Sequence, residues 1–351
     1  MIKLAYDITS VAESPYGGIA QVCYHTLAQA AKHGDISATG FYRRGRRENI
    51  AVDNVPLRRL IWTDRFRRSQ FDIVHALCHR LPPVGGQKRV YTLYDAWSLY
   101  PNKYQSPSFQ KTIGMRMKRE LRKVDAIIAI SDNTHKNLVE LQLVDPNKCR
   151  VARIGVAPPE PPTPAGGNTE IENCLSRPYV LFVGRIEVRK NIGHIIDAVA
   201  PISQLDLVIV GEPGYGYDDI TRSDLARFPQ DRLHVLSRLD TSDLELLYRR
   251  ALATLLPSWE EGFGLPILEA MVRGCPVITS NCSACAEVGA GGAILVDPAN
   301  PSESTEALIR LYEDASYHDR IKQAGLHRSR DFSWEKYFDD LISVYRSVLS
   351  Q

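Results

Sequence analysis

The stretch 253-ATLLPSWEEGFGLPILEAMVR-273 decides the fold. Ala253–Leu256 is an apolar run without apolar/polar alternation, the pattern of a parallel strand buried on both faces. A loop follows in which Gly262 and Gly264 allow a tight turn, and Pro266 suits the first turn of a helix over Leu265–Arg273. A strand that ends in a glycine-rich loop and runs into a helix is the repeating unit of doubly wound α/β folds. Such a helix start offers backbone N–H groups to an anion. Glu261 precedes the helix, and Glu269 lies three residues after Pro266, under one turn, so it reaches the same side as the loop. Two carboxylates beside an anion-binding loop would repel the anion. They fit if each accepts hydrogen bonds from hydroxyls, one set on a sugar and one on a ribose.

The same alternation extends outward in both directions. Upstream, strands are expected at Lys3–Ile8, Ile36–Tyr42, Asp72–Ala76, Arg89–Tyr94, Asp125–Ile130 and Arg150–Ile154, with helices at Ile19–Lys32, Ser108–Lys123 and Asp132–Leu141. The second half repeats it, with strands at Tyr179–Val183, Leu205–Val210, Leu233–Leu236, Ala253–Leu256, Val277–Thr279 and Ala293–Val296. Its helices are expected at Asn191–Val199, Thr241–Arg250, Leu265–Arg273 and Ser302–Ala315. Between the halves lies 157-APPEPPTPAGG-167, whose prolines and glycines cannot continue a helix or a central strand. The expected organisation is an N-terminal domain over 1–157, a Pro-rich linker over 158–177, a second domain over 178–332 and a terminal helix over 333–351. The expected fold class is α/β, two tandem Rossmann-like doubly wound domains with a cleft between them.

A chain of 351 residues, 44% hydrophobic and 24% charged, has the make-up of a globular protein and not of a disordered, collagen-like or disulfide-stapled one. Its net charge of +2 hides an asymmetry: residues 1–165 hold 25 Lys+Arg and 14 Asp+Glu, while the remainder is acidic. The basic excess gathers at Arg43, Arg44, Arg46, Arg47, Arg58, Arg59, Arg65, Arg67 and Arg68, and again at Lys111, Arg116, Lys118, Arg119, Arg122 and Lys123. These cations are not interleaved with a base-stacking aromatic module, so no nucleic-acid partner is expected. The N-terminus lacks a signal-peptide plan, and no apolar run approaches the roughly 18 residues of a membrane span. The seven cysteines read as reduced thiols of a cytoplasmic protein. Cys282-Ser283-Ala284-Cys285 stands without a second ligand pair, so no metal is expected.

Three more motifs sit at strand ends, where parallel sheets bind ligands. Gly17 and Gly18 follow the first strand and permit close backbone approach. Val183-Gly184-Arg185-Ile186-Glu187-Val188-Arg189-Lys190-Asn191 places Arg185 and Lys190 on a loop suited to a diphosphate. Tyr94 and Asp95 close a first-half strand, with His75 and His79 as further candidates at another.

These residues resemble the retaining family-4 glycosyltransferases of GT-B architecture (glycosyl transferases group 1). The resemblance rests on Gly17-Gly18, Val183-Gly184-Arg185 with Lys190-Asn191, and Glu261-Gly262-Phe263-Gly264-Leu265-Pro266 followed by Glu269, which reproduces the family's Glu-x7-Glu signature. It implies retaining transfer of a hexose, with mannose favoured, from a nucleotide sugar to a glycan or a polyprenyl-diphosphate-linked acceptor, as in polysaccharide or O-antigen assembly. Arg185 and Lys190 would neutralise the diphosphate, approached from the other domain by Gly17 and Gly18. Glu261 and the backbone of Gly262, Phe263, Gly264 and Leu265 would hold the sugar, and Glu269 the ribose. No cofactor or metal is implied; GDP-mannose or a UDP-hexose is a substrate.

The sequence departs from the family at Tyr94, where many relatives carry a His before the Asp. Tyrosine titrates near 10 and is a poor proton shuttle at neutral pH. Arg238 stands where relatives often carry a Gly near the nucleobase, which leaves the base open. The alternatives are a nucleotide-sugar 2-epimerase of the same architecture and a catalytically weak nucleotide-sugar-binding protein. The basic first half suggests a peripheral contact with the anionic inner face of the cell membrane.

Overall fold

The computed structural model describes residues 1–13, 17–43, 45, 50, 52–61, 70–160, 171, 174, 176–237 and 239–351. Tyr16, Arg44, Arg46, Arg47, Arg65, Arg67, Arg68, Arg238 and the linker positions 161–170 lie outside them. The chain forms two compact units, Met1–Gly155 with Phe332–Gln351, and Val156–Asp331.

The first unit is built on a seven-stranded parallel sheet in the order β3-β2-β1-β4-β5-β6-β7. Its strands are β1 (Ile2–Asp7), β2 (Ile36–Tyr42), β3 (Leu57–Arg59), β4 (Phe71–Ala76), β5 (Gly86–Leu93), β6 (Ala126–Ala129) and β7 (Cys149–Val151). The register of the central pair runs Leu4↔Ile73 to Asp7↔Ala76. Helices α1 (Thr9–Glu13), α2 (Gly18–Lys32), α3 (Pro107–Leu121) and α4 (Asp132–Glu140) connect the strands. Their starts are legible. Ser106 Oγ accepts from Phe109 N–H at 3.3 Å with Pro107 in the first turn of α3, and Ser131 Oγ accepts from Thr134 N–H at 3.0 Å.

The second unit carries a six-stranded parallel sheet, β10-β9-β8-β11-β12-β13. Its strands are β8 (Tyr179–Val183), β9 (Asp206–Val210), β10 (Leu233–Leu236), β11 (Ala253–Leu256), β12 (Val277–Ser280) and β13 (Ile294–Val296). The helices are α5 (Ile192–Val199), α6 (Tyr217–Ser223), α7 (Thr241–Arg250), α8 (Leu265–Val272), α9 (Ser283–Gly289), α10 (Pro301–Glu313) and α11 (Ala315–Ser329). Strands β8, β9, β11 and β12 are almost wholly buried, as continuous apolar runs require.

The last helix, α12 (Trp334–Leu349), belongs to the first unit. Ser333 caps it, accepting from Lys336 N–H at 3.1 Å. It buries Tyr337, Phe338, Leu341, Ile342, Tyr345 and Val348, and Trp334 stacks on His25 at 4.3 Å. Gly155 makes the docking possible: a Cβ there would stand 2.3 Å from the Trp334 nitrogen.

Four strands have the bounds expected from sequence, whereas the one expected at Arg150–Ile154 is the shorter Cys149–Val151. Strand β3 and helices α1, α6, α9 and α11 were not anticipated. β3 has three half-exposed or exposed residues, two of them arginines, and α11 buries only Gly325 and Ser329, leaving no apolar stripe to read. Among the described residues no helix is long and apolar enough to cross a membrane.

Candidate active site

In the second sheet β8 lies beside β11, with β9 on its other flank. The strand order reverses there, so the loops after β8 and β11 flank the crevice in which open α/β sheets bind ligands. Both carry the residues singled out from sequence. Gly264, at φ +96°, precedes α8, with Pro266 in that helix's first turn. A side chain would be strained at that φ, which accounts for the glycine.

Glu261 is 5% exposed and sits at the centre of a buried charged cluster. Lys190 Nζ and Ser258 Oγ (2.9 Å) donate to its Oε1, and Arg189 Nη1 donates to Oε2 at 2.7 Å. Its own N–H donates to Ser283 Oγ at 3.3 Å. Burial alone would raise the carboxyl pKa. The charges of Arg189 and Lys190, with their hydrogen bonds, outweigh it and lower the pKa to about 2. Glu261 is therefore a carboxylate at any physiological pH.

Arg189 also pairs with Glu187 at 2.6 Å within the β8 loop, while its bond to Glu261 ties that loop to the β11 loop. Asn191 adds another tie. It sits in the left-handed region and donates to Pro257 O at 3.1 Å and Pro298 O at 2.8 Å. Arg189 and Ser258 were quoted within motifs but given no role by the sequence reading. Arg189's place next to Lys190 was a usable signal; Ser258's was not.

The remaining second-unit candidates are spread around this cluster. Arg185 is exposed, its Nη2 donating to Pro213 O at 3.2 Å. Lys190, read as a diphosphate ligand, is 4% exposed and held by Glu261. Glu269 is half-buried and accepts from Tyr248 Oη at 3.0 Å. Gly262 and Phe263 are buried, and Leu265 is half-buried. The cysteines of the Cys282–Cys285 motif are free thiols. Among the described residues no group of three or more His, Cys, Asp and Glu side chains is placed to hold a metal ion.

In the first unit Gly17, at φ +103°, precedes α2, which begins at Gly18. Tyr94 is buried and its hydroxyl donates to Leu77 O at 2.7 Å, while burial pushes its pKa up. Asp95 accepts from Trp97 N–H at 3.1 Å. His75, a sequence candidate, is a core residue: Nδ1 meets Tyr345 Oη at 2.6 Å and Nε2 meets Thr92 Oγ1 at 2.8 Å. Burial lowers its pKa to about 3, so it is neutral. His79 is half-buried and also shifted down by burial.

Two parallel, doubly wound α/β units, one with a buried charged cluster at the switch point of its sheet, define the class of two-domain Rossmann-like proteins. Residues 16–158 match the family described as Glycosyltransferase Family 4, and residues 171–328 the family described as Glycosyl transferases group 1. The chain belongs to the family-4 glycosyltransferases of GT-B architecture. An O-antigen chain mannosyltransferase B of Escherichia coli is 31% identical over 174 residues, 48% of this chain and 45% of that protein. A D-inositol 3-phosphate glycosyltransferase of Thermobifida fusca is 28% identical over 259 residues, 66% of this chain and 58% of that protein. The matched stretches thus span about half the length of these relatives. Anabaena HepE, solved in complex with UDP-glucose, superposes with a TM-score of 0.76 at 16% identity over 99% of this chain and 100% of that one. These relatives lend no support to the epimerase alternative.

Proposed function

We propose that the chain is a retaining, metal-independent hexosyltransferase that takes its sugar from a nucleotide sugar. The observation that carries the reading is the buried Glu261–Lys190–Arg189 cluster at the switch point of the second sheet. A charged cluster is costly to bury, and a perturbed carboxylate in such a crevice is a mark of function. Arg185 and the first turn of α8 neutralise the donor diphosphate. Lys190 is shared between the diphosphate and Glu261, which orients the sugar hydroxyls. Glu269, steadied by Tyr248, binds the ribose. The leaving phosphate oxygen takes the acceptor proton as the bond from the anomeric carbon to phosphate breaks and the new bond forms on the same face. Tyr94, its hydroxyl engaged with Leu77, needs no proton-shuttle role in this scheme.

Mannose from GDP-mannose is the favoured donor, on likeness to the mannosyltransferase; a UDP-hexose is the competing one. The acceptor is a glycan or a polyprenyl-diphosphate-linked glycan, bound by the first unit, while Gly17 and Gly18 serve the donor diphosphate. The exposed cations Lys111, Lys118, Arg119, Arg122 and Lys123 support peripheral contact with an anionic membrane. Liposome binding should rise with anionic lipid and fall with salt.

The test of the reaction is product analysis with GDP-mannose and UDP-glucose over an acceptor panel. Sugar should appear on an acceptor with its anomeric configuration kept, and Arg185→Ala, Lys190→Ala and Glu261→Ala should each abolish most of it. Near-normal rates in all three would defeat the assignment, as would an epimerised nucleotide sugar formed without acceptor.

A further inference from the structure

One arginine of the second unit has no part in that scheme. Arg273 directly follows α8, one helical turn beyond Glu269, and its side chain is only 10% exposed. Its guanidinium reaches Glu269 twice over. Nη1 donates to Glu269 O at 2.8 Å, fixing that residue's peptide. Cζ lies 5.2 Å from the centre of the Tyr248 ring, and the Tyr248 hydroxyl donates to Glu269 Oε2 at 3.0 Å. A carboxylate can only accept, so the hydroxyl proton must point at Glu269. Among the described residues nothing donates to Glu269 Oε1, which is left for a ligand.

The arginine is itself anchored from behind. Nη2 pairs with Glu245 Oε1 at 2.6 Å. Glu245 is 3% exposed and stands three residues before Tyr248 on α7, on the same face of that helix. The Glu160 N–H donates to the same Oε1 at 3.1 Å, and Arg249 Nη2 donates to Glu160 O at 2.9 Å. Cohesion alone explains this group poorly. Arg273 Nε and Glu245 Oε2 are buried without a hydrogen-bond partner. A buried ion pair with such orphan atoms is a weak stabiliser compared with apolar packing. What the planar fork does supply is a fixed place for two things at once, the Tyr248 ring and the Glu269 backbone.

We infer that Arg273 is a positioning residue for the donor site: anchored on Glu245, it holds Tyr248 and Glu269 so that the Glu269 carboxylate faces the ribose hydroxyls. The inference rests on the reading of Glu269 as the ribose ligand. The experiment measures binding of GDP, UDP and their 2′,3′-dideoxy counterparts to the full chain by calorimetry. The proteins are the wild type, E269A, R273K and E245Q/R273Q. R273K keeps a charge opposite Glu245 but gives up the fork. E245Q/R273Q removes both charges together, so neither is left buried alone.

Wild type should bind one ribonucleotide about tenfold or more tightly than its dideoxy form, and E269A should lose that preference. R273K and E245Q/R273Q should each lose most of it while binding the dideoxy form within about twofold of wild type. That retained affinity separates positioning from general damage to the fold. If R273K or E245Q/R273Q discriminates as wild type does, or weakens both forms equally, the inference is overturned while the reading of Glu269 stands. If wild type binds both forms alike or binds no nucleotide, or if E269A keeps the preference, the reading of Glu269 falls and the inference falls with it.

Discussion

Each unit buries a polar cluster around its sheet, and the two are built on opposite principles. In the first unit Tyr6, His75, Thr92 and Tyr345 form a neutral chain of hydrogen bonds. In the second, Glu261, Lys190 and Arg189 form an ionic one. The neutral cluster fastens α12, the chain's last helix, to β1, β4 and β5. It has no charge to offer a ligand, and structural cohesion accounts for it. The ionic cluster joins two loops at a switch point and pays a desolvation cost that a hydrophobic substitute would avoid. That difference separates cohesion from function in two units of otherwise similar plan.

The comparison breaks most visibly at Glu261. Glu261→Ala should lower turnover by about 10²–10³-fold and cost about 3–5 kcal/mol, because Lys190 and Arg189 are left buried without their counter-ion. Steady-state rates and urea unfolding read both; a loss of stability without a loss of rate would move this cluster into the structural category.

Acid should attack the two clusters in different windows. His75 has a folded pKa of about 3 against 6.5 in the unfolded chain, and the half-buried His25 one of about 4. Below pH 6.5 the unfolded state takes up these protons first. The first unit is therefore fully stabilised above pH 6.5 and loses roughly 3 kcal/mol to His75 alone by pH 4. Glu261, at about 2 against 4.5, keeps its contribution above pH 4.5 and loses it as pH falls toward 2. Urea melts at stepped pH should show the first loss in the unit holding Trp97 and Trp334. A His75→Asn variant should flatten the slope between pH 6.5 and 4, and an unchanged slope would refute the assignment.

Smaller effects sharpen the contrast. Tyr345→Phe should cost about 1–3 kcal/mol by leaving His75 Nδ1 without its partner, with little change in turnover. Arg185→Ala, at an exposed site, should change stability by less than about 0.5 kcal/mol while removing most nucleotide affinity. A large melting-temperature drop for Arg185→Ala would mean that this arginine is structural.

Much of this was legible in the chain because parallel strands advertise themselves. Tyr179–Val183 and Ala253–Leu256 are uninterrupted apolar runs ending in glycine loops, so both the strands and the site beside them could be read. The Glu261 and Glu269 pair was visible for the same reason. What the sequence hid was pairing. Nothing in the spacing of Lys190 and Glu261, 71 residues apart, says that one neutralises the other. His75 looked like a candidate because it ends a strand; only the arrival of Tyr345, 270 residues later, shows it to be core. Arg43 and Arg116 likewise read as surface charge until the fold set them in one pocket.

The central claim is that the ionic cluster of the second unit marks a site for a nucleoside diphosphate. Thermal unfolding of the full chain with GDP and with UDP tests it most directly. At a hundred times the dissociation constant, one of them should stabilise the protein by about 2.7 kcal/mol, and Arg185→Ala should abolish the shift at the same concentration. No shift with either nucleotide, or an equal shift in wild type and Arg185→Ala, would contradict it.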